Sequence, residues 1–190
     1  MADRRTLARV TAAVPRGTDD QLRADLLWIA SDFRRIVDDA ATRELSLPTN
    51  GTRWTNRQLL FHMVLGQNIA LTFVWLFGLF SRLPPGASRA WSGMLERCTR
   101  PYNWVNWAGA VVGARVLAPG SMARMMDRST AALVHRLDRA APVDLARGMS
   151  VPPSWDPYFS EWMDRRDILE WAPKHYRHHR AQLSLRNLPA

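Results

Sequence analysis

Apolar residues return every three or four positions along residues 22–40. Leu22, Leu26, Ile29, Phe33, Ile36, Val37 and Ala40 share one face, and Arg23, Asp25, Asp32, Arg34 and Asp39 fill most of the rest. That is the period of an amphipathic helix. Thr18 and Gln21 stand three apart just before it, the spacing of a capping box. The pattern predicts one helix over 19–43, with residues 1–17 as a flexible lead-in. Pro48, Asn50 and Gly51 then mark a loop.

A second capping box follows, with Thr55 at the N-cap and Gln58 three residues on. Trp54 and Leu59 stand where a hydrophobic staple would. The helix predicted from here to about residue 81 has an unusual pattern. From Gln58 to Ser81 no residue other than His62 can carry a charge, and His62, Gln67, Asn68 and Thr72 scatter around the helical wheel. A helix that is apolar all round is buried or sits in a membrane, and the 59–80 stretch is long enough to cross one.

Beyond Pro84-Pro85-Gly86 the spacing predicts a short helix over about 88–98 and an apolar one over 102–117, ended by Pro119-Gly120. Ser121 reads as the cap of an amphipathic helix over 122–140. Met122, Met125, Met126, Ser129, Leu133 and Leu137 face one way, with His135 opposite them towards solvent. Residues 142–158 read as a long irregular connection, of the kind that often forms a lid. The last helix starts just after Asp156-Pro157 or, more cleanly, at Asp164. It runs to about Leu185, with a kink expected at Pro173. No strand series is visible, so the fold class is all-α, with residues 18–190 as one helical domain.

Composition narrows this further. The 190 residues are 47% hydrophobic and 23% charged, which excludes a disordered chain and allows one domain with a real core. Cys98 is the single cysteine, so a disulfide scaffold, a CxxC centre and a thiolate zinc knuckle are excluded. The polar first twenty residues lack the apolar run of a signal peptide. A cytoplasmic location is therefore expected. The net charge is +9, yet the basic residues are dispersed and no aromatic platform is interleaved with them, so nucleic-acid binding is not expected.

Candidate chemistry gathers at the histidines. His175 and His179 are four apart, so on a helix both imidazoles can reach one ion. Ile168, Trp171, Ala172 and Gln182 lie near that face, and His178 turns to the flank. His62 shares a face with Leu65, Gly66, Ile69, Phe73 and Leu76, where an unpartnered polar group is costly. The His175/His179 pair is its natural partner. Three neutral imidazoles with an open fourth position suit zinc, nickel or a similar divalent ion. The residues alone also allow a solvated His175/His179 face and a satisfied core His62.

The stretch W-T-x-x-x-L-L-x-H at 54–62, followed by H-x-x-H-H-R-x-Q-L at 175–183, resembles the DinB/YfiT-like family. The resemblance implies a four-helix bundle over about 19–185 with an extra apolar helical insertion. It also implies a metal triad of His62, His175 and His179. Pro173 and the apolar 58–81 and 102–117 stretches depart from the pattern. Some members are transferases using a low-molecular-weight thiol such as bacillithiol or mycothiol, and one is a maleylpyruvate isomerase using mycothiol. The resemblance therefore implies a metal-dependent transferase or hydrolase acting on a small molecule. Arg180, next to His179, is then the candidate for holding an anionic cosubstrate. Two other readings stay open: a metal-stabilised bundle without turnover, and a membrane-associated protein using the 59–80 span. The mean hydropathy of −0.25 and the single candidate span favour a buried bundle helix. Surplus apolar surface on that helix and on 102–117 points to a homodimer face.

Overall fold

The computed structural model describes residues 16–186 and 188. In chain order come α1 (Asp19–Asp39), the single turn α2 (Thr42–Leu45), α3 (Asn56–Phe80), α4 (Pro85–Arg97) and α5 (Thr99–Val116). There follow α6 (Pro119–Arg139), the single turn α7 (Pro142–Leu145), β1 (Gly148–Ser150), β2 (Trp162–Asp164) and α8 (Arg165–Arg180). The long helices α1, α3, α6 and α8 form a four-helix bundle. Its neighbours run α1–α6–α3–α8 around the ring, so α1 and α3 pack chiefly on α6 and α8. Leu26, Ile29 and Phe33 of α1 meet Leu59, Leu60 and Phe77 of α3, Met122, Met126 and Leu133 of α6, and Ile168 and Leu169 of α8 in one core.

The local chemistry explains the boundaries. Thr18 and Thr55 each accept from the N–H three residues on, and Gln21 and Gln58 answer with their side chains. Asp164 caps α8 in the same way through Asp167. The helix expected over 19–43 instead breaks at Ala40, where the backbone turns extended. Glu44 caps α2 by accepting from the Ala41 N–H at 3.1 Å. Ser121 is not a cap: α6 begins at Pro119, whose fixed φ and missing N–H suit a first turn. Pro101 likewise fits the first turn of α5, which starts ahead of the expected residue 102.

The 142–158 connection is more ordered than its composition suggests. It holds α7 and β1, which pairs antiparallel with β2, Met149 opposite Met163. Gly148 makes this possible, since a Cβ there would lie 2.4 Å from the Met163 carbonyl oxygen. At the far end, α8 stops at Arg180 and not near Leu185, because the chain there turns to clasp the start of α3. Asn56 donates to the Glu44 carbonyl (2.8 Å) and to Ser184 Oγ (3.0 Å) and accepts from the Ser184 N–H (3.0 Å). Pro173 is buried within α8 and does not end it.

The apolar α3 is the hub. It packs on α6, α8, α5 and β1, while Trp75 and Leu79 stay exposed on it. Among the described residues it is the one helix long and apolar enough to span a bilayer, and 44% of that window is buried inside the protein. The protein is expected in the supernatant after high-speed centrifugation. Recovery only in a pellet resistant to salt and carbonate would assign α3 to a membrane.

Candidate metal centre and its cavity

His62 stands in the second turn of α3, and His175 and His179 lie one turn apart near the end of α8. Each offers one ring nitrogen to a cluster whose atoms all lie within 4.8 Å of one another. His62 Nε2 and His179 Nε2 are 3.1 Å apart. Two ligands at tetrahedral angles around zinc would sit roughly 3.3 Å apart, given bonds of 2.0–2.1 Å. The cluster is therefore near ligand spacing already.

The surroundings keep these rings neutral and aimed. Burial, with the neighbouring His179 adding and Asn106 opposing, pushes the His62 pKa down to about 3. Burial pushes His179 down to about 4, against the hydrogen bond to Gln182. Burial and the other histidines hold His175 well below its usual range. A buried imidazole resists a proton and keeps its lone pair for a metal. His179 Nδ1 lies 2.7 Å from Gln182 Oε1. Since Oε1 can only accept, Nδ1 carries the hydrogen and Nε2 is left as the donor atom. His62 Nδ1 is buried without a hydrogen-bond partner of normal geometry.

Packing fixes the rings as well. Trp54 stacks on His62 at 4.5 Å, and Trp171 lies 4.6 Å from His175. Gly66, one turn beyond His62, gives His175 its room: a Cβ at 66 would come 2.4 Å from His175 Cε1. The three imidazoles, their neutrality and the Gln182 contact fit a divalent ion.

The cluster forms part of the wall of a cavity of about 430 Å³, a size suited to a small molecule. Its wall is mostly apolar and aromatic. The 142–158 connection expected to act as a lid supplies Trp155, Asp156 and Pro157 to it, and Phe159 follows just beyond. Trp155 stacks on Tyr102 of α5 at 3.8 Å and 6°. Asp156 Oδ2 lies 3.9 Å from His175 Nε2. Burial raises the Asp156 pKa, opposed by the Tyr158 N–H, Trp171 and His178.

The remaining candidates lie elsewhere. His178 is at the cavity rim, 3.3 Å from the Tyr158 hydroxyl. His135 is exposed on α6, as its position on the wheel predicts. Cys98 is exposed at the α4–α5 junction. Arg180 does not line the cavity. It donates through Nε (2.7 Å) and Nη2 (3.1 Å) to Asp32 of α1, so its charge is matched within the bundle, where the expected role needed it facing a cosubstrate. Sequence reasoning missed Asp156 and the Tyr102–Trp155 stack, which no local period marks. Gln182 was visible as the position three beyond His179.

The DinB superfamily pattern matches residues 4–183. The chain belongs to the DinB superfamily. Two solved structures share the fold of this DinB protein. YfiT from Bacillus subtilis, described as a probable metal-dependent hydrolase with an unusual four-helix bundle topology, is 15% identical with a TM-score of 0.59. The match covers 90% of this chain and 89% of that one. The mycothiol-dependent maleylpyruvate isomerase is 11% identical with a TM-score of 0.59, over 91% of this chain and 65% of that one. These likenesses show the DinB fold. No curated protein matches the chain.

Proposed function

We propose that this DinB protein is a metal-dependent enzyme that activates water or a low-molecular-weight thiol against a small molecule. The observation that carries the reading is the triad's position. Three neutral imidazoles converge on the wall of a cavity large enough for a substrate, and protein fills only part of the space around them. A divalent ion held by His62, His175 and His179 supplies Lewis acidity and lowers the pKa of the water or thiol it meets.

The chain's own residues do the rest. Gln182 holds His179 in one tautomer, and Trp54 and Trp171 hold the planes of His62 and His175. The Trp155–Phe159 segment closes one side and keeps bulk water from the reacting atoms. The descriptions of YfiT as a hydrolase and of the isomerase as mycothiol-dependent support both choices of nucleophile. Because the triad ties α3 to α8, a purely structural metal is the second reading.

A cobalt-substituted sample separates the two. Mycothiol or 2-mercaptoethanol is expected to add a thiolate-to-metal charge-transfer band that is lost in His179→Ala. A cobalt spectrum that responds to no thiol and no azide would make the metal structural. A response to azide alone would favour water as the nucleophile.

A further inference from the structure

The cavity beside the triad is built from the wrong side chains for an anion. The chain carries 26 basic residues and a net charge of +9, yet among the described residues no arginine or lysine lines this wall. Among the described residues, and apart from the histidines and Tyr102, its one ionisable group is Asp156. No arginine or lysine among the described residues pairs with that carboxylate, and its nearest basic atom is His175 Nε2 at 3.9 Å. An anionic ligand would lie against Asp156 with no side-chain counter-charge. A cationic ligand would approach a surface of net positive charge and share the cavity with a divalent ion.

What the wall does offer is rings. Tyr102 and Trp155 form a parallel slab at 3.8 Å, Trp91 stands on α4, and Phe159 meets Phe73 edge-on at 5.8 Å and 88°. Flat aromatic faces held by each other bind a planar apolar body at little entropic cost. Asn106 and Thr72 add polar groups without charge.

We infer that the site takes an uncharged, ring-bearing carbonyl compound, with its ring against the Trp91, Tyr102 and Trp155 wall and its carbonyl oxygen towards the triad. The direction of the carbonyl rests on the proposed metal site. The ring and the exclusion of an anion rest on the wall alone, and the exclusion of a cation rests on the ion as well, so these parts are tested separately.

Three probes share one naphthalene ring: 2-acetonaphthone (neutral), 2-naphthoate (anionic) and 2-naphthylmethylammonium (cationic). Each is titrated into the full-length, metal-free protein by tryptophan fluorescence and by calorimetry. In the metal-free protein the ketone is expected to bind about tenfold more tightly than naphthoate, whose charge must be desolvated without a partner, and zinc is expected to weaken the ammonium, which can pair with Asp156 until the ion is present. Leu95→Arg, which adds a cation to the wall, is expected to bring naphthoate level with the ketone or above it. Trp91→Ala, at a side chain 37% exposed, is expected to weaken all three probes with the fold intact.

Naphthoate binding the metal-free wild type as tightly as the ketone overturns the inference, and so does an ammonium whose binding zinc leaves unchanged. So does the absence of any binding. Adding zinc is expected to tighten the ketone in the wild type and not in His179→Ala; no change in the wild type overturns the carbonyl's direction. If the protein takes up no metal but still prefers the ketone, the metal reading fails and the neutral-ring preference stands.

Discussion

Close to one divalent ion per chain is expected in the purified protein, and alanine at His62, His175 or His179 is expected to weaken it on the order of a hundredfold. Structural zinc in small sites is worth about 10–16 kcal/mol over four ligands, so one ligand is worth a few kcal/mol. Gln182→Ala leaves all three ligands but frees the His179 tautomer, and about tenfold is expected. Gly66→Ala tests the packing directly. Its Cβ would meet the His175 ring at 2.4 Å, so affinity should fall although no ligand is removed. His135→Ala, on the exposed side of α6, should change nothing; an equal loss there would overturn the assignment. Acid adds an independent check. The folded-state pKa values of His62 and His179 are depressed, to about 3 and about 4, against 6.5 for a free side chain. Below 6.5 the unfolded chain therefore binds more protons than the folded one. The metal-free protein should lose stability as pH falls from about 6.5 towards 4. Elemental analysis and denaturation at stepped pH measure both.

Asp32→Ala is expected to lower stability by about 3–5 kcal/mol, which in a chain of this size is on the order of a 10 °C drop in melting temperature. Asp32 is fully buried on α1 and accepts from the Tyr176 hydroxyl at 2.8 Å and twice from Arg180. Tyr176 has its pKa raised by burial and by the Asp32 charge beside it, so it stays a donor at any working pH. The bond to Asp32 is the chief cause that raises the Arg180 pKa above its already high value. Removing the carboxylate leaves the buried Tyr176 hydroxyl without its acceptor and takes two charge-assisted hydrogen bonds from Arg180. Tyr176 and Arg180 flank His175 and His179 on α8, so metal affinity should drop along with stability. Arg34→Ala, which breaks the exposed pair with Asp127, is the contrast, and less than about 1 kcal/mol is expected. If Asp32→Ala and Arg34→Ala cost the same, the buried network is not what holds α8 in register.

Much of the bundle was legible because its signals are local. Thr18, Thr55 and Asp164 cap the helices they precede, and the apolar periods of α1, α3 and α6 mark their buried faces. The cluster of three histidines was legible because two of them share one helix face and the third lies alone on an apolar one. What failed depends on distant partners. Asp32 belongs by spacing with the polar fill of its helix, but it is buried because Arg180, 148 residues away, meets it. The break at Ala40 carries no turn residue, and strands of three residues are too short to show alternation. The Tyr102–Trp155 slab joins two segments that nothing in the chain aligns.

The ring order α1–α6–α3–α8 has a consequence for how the chain acquires its shape during synthesis. A helix pair joined by a short turn can bury its apolar faces as soon as both have emerged. Here the first two long helices do not rest mainly on each other, so each needs partners made later. The hub helix leaves the ribosome apolar on every side, and the last of its neighbours, α8, follows only after α4 to α7 and both strands have been made. Non-local pairing of this kind slows folding and prolongs the exposure of sticky surface. Until α8 arrives, the growing chain resembles a substrate for chaperones more than a half-finished bundle.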